Sequence, residues 1–287
     1  MESGWDEREP LLIIALSSIP PRFPKIGGTL NALLTQTAPI DRICLYIPQT
    51  YRRFPEWDGT LPEVPEGVEI HRTDADLGPA TKILAAAQEF RGQDVDILFC
   101  DDDRLYPPDW AARFLHDRAR HPGAAIANLG VQAHTVTTST EPRARQPRAD
   151  RSWRITDVEF QLKFLWRQIM AGRDWRGVPE PARRVIKKSG YVDIFEGCAG
   201  VMVKPDWFDD VAYAIPPVLW TVDDVWLSGM LARMDIPIWL HGNIHEPGDT
   251  EAEQFDPLVT SIVDGVDRHT ANRMAVEYMQ ETFGVWR

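Results

Sequence analysis

Short apolar runs alternate with segments of helical spacing along the first half of the chain. The run LLIIAL at 11–16 is continuous and is followed by Ser17, Ser18 and a Pro-Pro pair, which is typical of a buried parallel strand that feeds a loop. The next two segments have the spacing of a helix and of a second strand, so a strand–helix–strand unit is expected. In order, we predict strands at 11–16, 42–48, 68–72 and 96–100 and helices at 29–37 and 80–90.

The second half of the chain has a weaker pattern. Residues 134–152 are rich in Thr, Arg and Pro, a composition that buries little surface and predicts a mobile or ligand-ordered loop.

The alternation of strands and helices predicts an α/β fold with a Rossmann-like, mostly parallel central sheet flanked by helices. One large domain is preferred to two small ones. The remaining predicted elements are helices at 108–121, 160–170, 225–234 and 268–283, strands at 124–129 and 236–240, and a strand–turn–strand at 191–203.

Composition narrows the classes of function. The 287 residues include 43 Asp and Glu against 31 Lys and Arg, which argues against a protein whose main partner is the phosphate backbone of nucleic acid. The cysteines Cys44, Cys100 and Cys198 are widely spaced among apolar neighbours, so neither a disulfide framework nor a zinc site is indicated and a cytoplasmic location fits best. The acidic start of the chain and the lack of a long apolar run predict no signal peptide and no membrane span.

Three consecutive aspartates, Asp101, Asp102 and Asp103, directly follow the strand predicted at 96–100. Adjacent carboxylates raise one another's pKa unless a cation or hydrogen bonds offset their charge, and a hard divalent ion such as Mg²⁺ or Mn²⁺ suits oxygen ligands. Because side chains alternate in direction along an extended segment, Asp101 and Asp103 are expected to reach one metal while Asp102 faces elsewhere. The alternative is an acidic loop that caps the helix beginning at Pro108.

The segment ILFCDDDRLYPPDW resembles the GT-A glycosyltransferases, particularly the inverting, family 2-like members, with Asp101 and Asp103 in the positions of their Asp-x-Asp motif. Further pieces agree in order: ALSSIPPRF after the first strand, DLGPATKI before the acidic strand, then EGCAGVMV and TVDDVWLSGML. The resemblance covers about 11–241. It implies a single GT-A domain spanning the chain, with a nucleotide-sugar-binding half at about 10–130 and an acceptor-binding half at about 131–287 that ends in the C-terminal helix.

The resemblance also implies the chemistry. In inverting GT-A enzymes an acidic residue at the head of a helix in the second half removes the proton of the acceptor hydroxyl, and here this role falls on Asp224, with Asp223 as the close alternative. Both residues equally suit a helix start, where a carboxylate caps the backbone and favours the macrodipole. Mn²⁺ or Mg²⁺ at Asp101 and Asp103 is expected to stabilise the leaving diphosphate as a Lewis acid.

Further residues are assigned by position in the same resemblance. Many GT-A enzymes take a third metal ligand from a histidine near the last strand, which makes His241, and after it His245, a candidate. Each assigned residue also has a plainer explanation, as a surface charge, a turn former or a core aromatic. The candidates for binding the nucleotide sugar are Ser18, Pro20, Arg22, Asp76, Lys82, Asp101 and Asp102, and those for the acceptor are Glu196, Gly197 and Trp220, with Trp207 and Trp226 as further stacking candidates.

The sequence thus predicts a metal-dependent glycosyltransferase that moves a sugar from a UDP- or GDP-sugar to a hydroxyl acceptor, with inversion. A nucleotidyltransferase stays open, although ALSSIPPRFPKIGG has prolines where a triphosphate-binding loop would have glycines. A retaining transferase and a non-catalytic nucleotide-sugar-binding module are further alternatives. Peripheral membrane contact is also left open, because the acceptor of such an enzyme can itself lie on a membrane.

Overall fold

The computed structural model describes residues 10–137, 145–173, 178, 180–181, 183–255 and 268–287. Within these ranges the strands are β1 (Leu11–Ser17), β2 (Arg42–Pro48), β3 (Val68–Thr73), β4 (Val95–Phe99), β5 (Arg104–Leu105), β6 (Ala125–Ala127), β7 (Gly130–Val131), β8 (Asp150–Arg151), β9 (Ile186–Lys188), β10 (Gly190–Val192), β11 (Ile194–Phe195), β12 (Val201–Val203), β13 (Ile238–Leu240) and β14 (Gly248–Asp249). The helices are α1 (Gly27–Leu34), α2 (Thr81–Glu89), α3 (Trp110–Arg120), α4 (Val158–Ala171), α5 (Asp210–Tyr213), α6 (Asp223–Arg233) and α7 (Arg268–Phe283).

Eight of these strands form the central sheet, in the order β10-β13-β6-β12-β4-β1-β2-β3. The pairs β4–β1, β1–β2, β2–β3 and β13–β6 are parallel, whereas β12 runs antiparallel to both of its neighbours and β10 is an antiparallel edge strand. Six strands therefore share one direction, and the prediction of a mostly parallel sheet flanked by helices is confirmed. Strands from both halves of the chain take part in it.

The continuous apolar run of β1 reflects burial on both faces of the sheet. Leu12 and Ile14 pack on one face in a core cluster with α1 and α3. Ile13 and Ala15 pack on the other face with α2, α6 and α7. All four side chains are almost completely buried, so successive positions must all be apolar and the alternation of a half-exposed strand is lost.

Several element boundaries differ from the sequence prediction for local reasons. Strand β2 and helix α7 have the predicted bounds. Helix α1 ends at Leu34, before the predicted residue 37, because the amide of Thr37 donates to the carbonyl of Pro108 at 2.7 Å. Helix α3 begins at Trp110 because Pro108 lies in a turn closed by a hydrogen bond from the Trp110 amide to Pro107.

The predicted strand–turn–strand at 191–203 is more complex than a hairpin. Strand β10 lies at one edge of the central sheet and β12 lies next to β4, while β11 between them pairs with β7 in a separate two-stranded sheet. The loop predicted at 134–152 falls partly on residues 138–144, which lie outside the described residues. Its described part contains the short strand β8. In the part of the chain that the structure describes, no helix has the length and apolar character needed to cross a membrane.

Candidate active site

A cavity of about 480 Å³ opens at the carboxyl ends of β1 and β4. This is the edge at which ligands of doubly wound sheets bind. The loops after these two strands and the first turns of α2, α6 and α7 contribute to its walls. The residues predicted from the sequence that line it are Ser18, Arg22, Asp76, Lys82, Asp101, Asp102, Asp103, Glu196, Trp220, Asp223 and Asp224.

The three aspartates leave the strand in a turn. Strand β4 ends at Phe99, and residues 102 and 103 form the turn before β5. The extended segment assumed in the sequence analysis was therefore wrong, and each carboxylate takes its own partners. Asp101 lies 2.6 Å from the ammonium of Lys82, and Asp102 accepts hydrogen bonds from the hydroxyl of Ser18 and, at 2.6 Å, from Arg22.

Protein cations offset part of the negative charge of the cluster. Arg22 Nη1 lies between Asp102 and Asp103, 3.0 Å from Oδ2 of the latter. Burial and the charges of Asp101 and Asp102 nevertheless raise the pKa of Asp103 to about 6. Its Oδ1 is buried and accepts no hydrogen bond from the described residues, although Arg104 Nε lies 3.5 Å away. The cluster thus retains negative charge that a further cation would neutralise.

Lys82 joins the two acidic parts of the site. Its Nζ lies 2.6 Å from Asp101 and 3.1 Å from Asp223, and its side chain is 6% exposed. Burial by itself would lower the pKa of Lys82, but Asp101, Asp223 and Asp224 hold it well above its usual value. Lys82 was predicted to bind the nucleotide sugar; in the structure its ammonium neutralises two carboxylates that are distant in the sequence.

Asp223 and Asp224 form the first turn of α6. The residue before the helix is Val222, and no side chain caps the helix there, so the capping alternative is not realised, although both acids still face the favourable end of the helix dipole. The Oδ1 of Asp224 accepts a 3.0 Å hydrogen bond from the backbone amide of Gly197. Burial, and after it the charge of Asp223, raises the pKa of Asp224 to about 8. This carboxyl group therefore takes up a proton near neutral pH.

The acceptor-side candidates lie close to Asp224. Glu196 lines the cavity and forms an ion pair of 2.5 Å with Arg151. A Cβ on residue 197 would lie 2.9 Å from Asp224 Oδ1 and 3.2 Å from Lys82 Nζ. The glycine is thus explained by the close approach of these two side chains to the backbone.

Asp76 and Trp220 form the wall beside α2. Both carboxylate oxygens of Asp76 accept backbone hydrogen bonds, from Gly78 at 2.9 Å and from Arg52 at 2.7 Å, which supports the turn-forming explanation for this residue. Gly78 has a φ of +61°, and a Cβ there would lie 2.8 Å from the Trp220 ring. The indole of Trp220 donates to the Asp76 carbonyl at 3.4 Å. Turn and ring therefore position each other.

Two further stacking candidates lie outside the cavity lining. Trp226 is buried in the core, where its indole donates to the Ala212 carbonyl at 2.8 Å. Trp207 packs against the guanidinium of Arg118, whose carbon lies 5.0 Å from the ring centroid.

Pro20, a nucleotide-sugar candidate, also lies outside the cavity lining. It lines a separate shallow groove beside Phe54.

The structure does not bring His241 and His245 to the aspartates. The amide of His241 donates to Ala127, extending the pairing of β13 with β6, and its Nδ1 lies 2.6 Å from a carboxylate oxygen of Asp117 on α3. Strands β6 and β12 lie between β13 and β4 in the sheet. A histidine that follows β13 is therefore kept apart from the aspartates that follow β4. His245 lines another groove, beside Tyr106. Among the described residues, no group of three or more His, Cys, Asp and Glu side chains has the geometry of a metal site.

Helix α7 adds residues that the sequence analysis did not assign. Its first turns bring Arg268, His269 and Asn272 to the cavity. Arg268 donates to the Thr221 carbonyl just before α6. The helix itself was predicted, but no local pattern indicates which end of a C-terminal helix meets the cavity.

No family model and no curated protein matches the sequence. Among solved structures, the chain is similar to "Mannosyltransferase PcManGT from Pyrobaculum calidifontis in complex with GDP-Man and Mn2+", with 12% sequence identity, a TM-score of 0.43 and coverage of 83% of this chain. The matched region spans 56% of that protein's chain. A TM-score of this size does not establish a common fold.

Proposed function

We propose that the chain is a metal-dependent glycosyltransferase of the inverting, family 2-like GT-A type. It moves a sugar from a UDP- or GDP-sugar to a hydroxyl acceptor. The observation that carries the proposal is the convergence of two acidic groups from distant parts of the sequence on one cavity, with Lys82 between them at 2.6 Å from Asp101 and 3.1 Å from Asp223. One group serves the diphosphate, and the other, when deprotonated, accepts the proton of the acceptor hydroxyl.

The residues fit a divalent cation held together with a diphosphate. Asp101 and Asp103 are the proposed ligands, since both line the cavity and Asp103 retains an oxygen without a hydrogen-bond donor among the described residues. Ions such as Mg²⁺ bind through one or two carboxylates and complete their shell with substrate phosphates and water, so a larger cluster of protein ligands is not required. When bound, the cation supplies Lewis-acid stabilisation of the leaving diphosphate.

Asp224 is the proposed general base. Its carboxylate accepts the acceptor hydroxyl proton while the acceptor oxygen forms a bond to the anomeric carbon; the bond from that carbon to the diphosphate oxygen breaks, and the electron pair leaves with the diphosphate. A pKa raised to about 8 makes this carboxylate a stronger base than an exposed aspartate. The Gly197 amide orients it. Asp223, whose carboxylate lies 3.1 Å from the Lys82 ammonium, is the alternative base.

The other cavity residues divide between donor and acceptor. Arg22 adds positive charge where the diphosphate is expected, whereas Lys82 holds Asp101 and Asp223 together. Ser18 and Asp76 belong to the proposed nucleotide-sugar side. Trp220, which donates to the Asp76 carbonyl, is the acceptor residue at the border between the two sides. Glu196 lies on the proposed acceptor side.

The test is transfer or donor hydrolysis with UDP- and GDP-sugars in the presence of Mn²⁺, repeated with excess EDTA. We expect turnover that EDTA abolishes and added Mn²⁺ restores. Asp103→Asn should raise the Mn²⁺ concentration needed for half-maximal turnover, whereas Asp94→Asn, an exposed carboxylate before β4, should not. Turnover that is indifferent to the chelator contradicts the metal site. Metal-linked nucleotide binding by calorimetry without turnover would instead identify a binding module.

A further inference from the structure

Helix α4 exposes an apolar stripe to solvent. Counted from Val158 as position i, the stripe occupies positions i, i+4, i+7, i+8, i+11 and i+12, which lie on one face of a helix. Its side chains are between 53% and 69% exposed. The chain just before α4 adds Trp153 and Ile155, which are 74% and 89% exposed. The stripe consists of Val158, Leu162, Leu165, Trp166, Ile169 and Met170.

The attachment of α4 to the protein lies on the other side of the helix. Among its described side chains, Phe160 is buried, and Phe164 stacks on it with ring centroids 5.8 Å apart. Asp157 caps the first turn by accepting from the Phe160 amide at 3.2 Å. A helix of this length is marginal in water by itself, so α4 depends on these contacts with the protein. A contiguous apolar surface of this kind marks an interaction site.

The sequence segment that contains α4 has a net charge opposite in sign to that of the rest of the chain. Residues 145–188 contain 12 Arg and Lys against 5 Asp and Glu, a net charge of +7, within a chain whose net charge is −12. The exposed side chains Lys187 and Lys188 on β9 belong to this segment. A segment that combines an exposed apolar stripe with net positive charge is complementary to a surface that is both apolar and anionic.

We propose that α4 binds the surface of an anionic lipid bilayer. The apolar stripe enters the boundary between headgroups and acyl chains, Trp153 and Trp166 lie at headgroup depth, and the basic residues contact the headgroups. Pairing of two copies through this face is disfavoured, because it would bring two segments of net positive charge together. The ion pair between Arg151 and Glu196 connects this segment to the cavity wall. The proposal does not depend on glycosyl transfer.

Flotation of the full chain with lipid vesicles tests the proposal. We expect binding to vesicles of equal parts phosphatidylcholine and phosphatidylglycerol that weakens as salt is added, and much weaker binding to phosphatidylcholine alone. The variant Leu162→Gln/Ile169→Gln should bind on the order of tenfold more weakly or worse, because it removes apolar area that enters the lipid. Lys187→Glu/Lys188→Glu should reduce binding to the anionic vesicles.

The matched control is Leu34→Gln on α1, whose side chain is 37% exposed; it should bind like the wild type. All substituted side chains are exposed, and unchanged thermal melting shows that the variants fold. Absence of wild-type binding to anionic vesicles overturns the proposal, as does undiminished binding of the Leu162→Gln/Ile169→Gln variant. A dimer in solution that this variant dissociates also overturns it, because the stripe would then bind a second copy.

Discussion

The backbone amide of Gly197 donates a 3.0 Å hydrogen bond to Oδ1 of Asp224. This bond connects the segment after β11 to the first turn of α6 and fixes one oxygen of the proposed base. The same residue lines the cavity, where an acceptor hydroxyl is proposed to bind. Both the orientation of this carboxylate and its raised pKa lead to measurable predictions.

Replacing Asp224 by Asn should remove turnover and keep donor binding. General-base catalysis contributes on the order of a hundredfold to ten-thousandfold, and the amide cannot accept the proton. We expect a fall of that size in kcat, measured by transfer at saturating donor, with nucleotide affinity by calorimetry largely unchanged. Asp235→Asn, beyond the other end of α6 and 98% exposed, is the control. Comparable losses in both variants would contradict the assignment.

The rate of transfer should rise with pH up to about 8. Burial and Asp223 raise the pKa of Asp224 to about 8, and a general base works only when deprotonated. In the free enzyme kcat/KM should therefore fall about tenfold per pH unit below that value and level off above it. Measuring kcat/KM as a function of pH at constant ionic strength checks this. A rate that is flat between pH 6 and pH 8 contradicts a base whose pKa is raised to about 8.

The same pKa predicts how stability depends on pH. A carboxyl group whose pKa is raised on folding binds its proton more tightly in the folded state, so its contribution is fully present below about pH 4, the unfolded value, and is lost as pH rises through about 8. Across this window the wild type should lose melting temperature relative to Asp224→Asn, which carries no titrating group there. Parallel curves for the two proteins would show that the carboxyl titrates normally.

Gly197→Ala should impair turnover more than stability. The added Cβ would lie 2.9 Å from Asp224 Oδ1, and the side-chain oxygen can move aside more easily than backbone can. We expect the hydrogen bond to be lost and kcat to fall, with a small change in melting temperature. Gly27→Ala, where a Cβ meets no atom within 4 Å, is the matched control and should leave both unchanged. Unaltered kcat in Gly197→Ala would show that this hydrogen bond does not position the base.

Lys82→Met should destabilise the fold. The ammonium is nearly buried between Asp101 and Asp223, and removing one member of a buried ion pair costs about 3–5 kcal/mol because charge is left unpaired. Urea unfolding measures the change. Lys25→Met breaks an exposed pair with Glu251 and should change stability little. Equal effects for the two variants would contradict the bridging role.

The sequence by itself determined the class of the fold and the location of its acidic edge. The continuous apolar run of β1 indicated burial on both faces, which α1 and α3 on one side and α2, α6 and α7 on the other provide. This was predictable because burial acts on each position locally, and because a strand that ends in carboxylates is visible in the chain itself.

The partners of those carboxylates were decided by the tertiary structure. Lys82, a predicted nucleotide-sugar-binding residue, lies between Asp101 and Asp223. His241, a predicted metal ligand, lies against Asp117. These contacts depend on the order of strands in the sheet, where β6 and β12 separate β13 from β4. Local sequence patterns encode the direction and burial of a strand but not its neighbours, so the side chains that meet across the sheet edge are fixed only when the strands assemble.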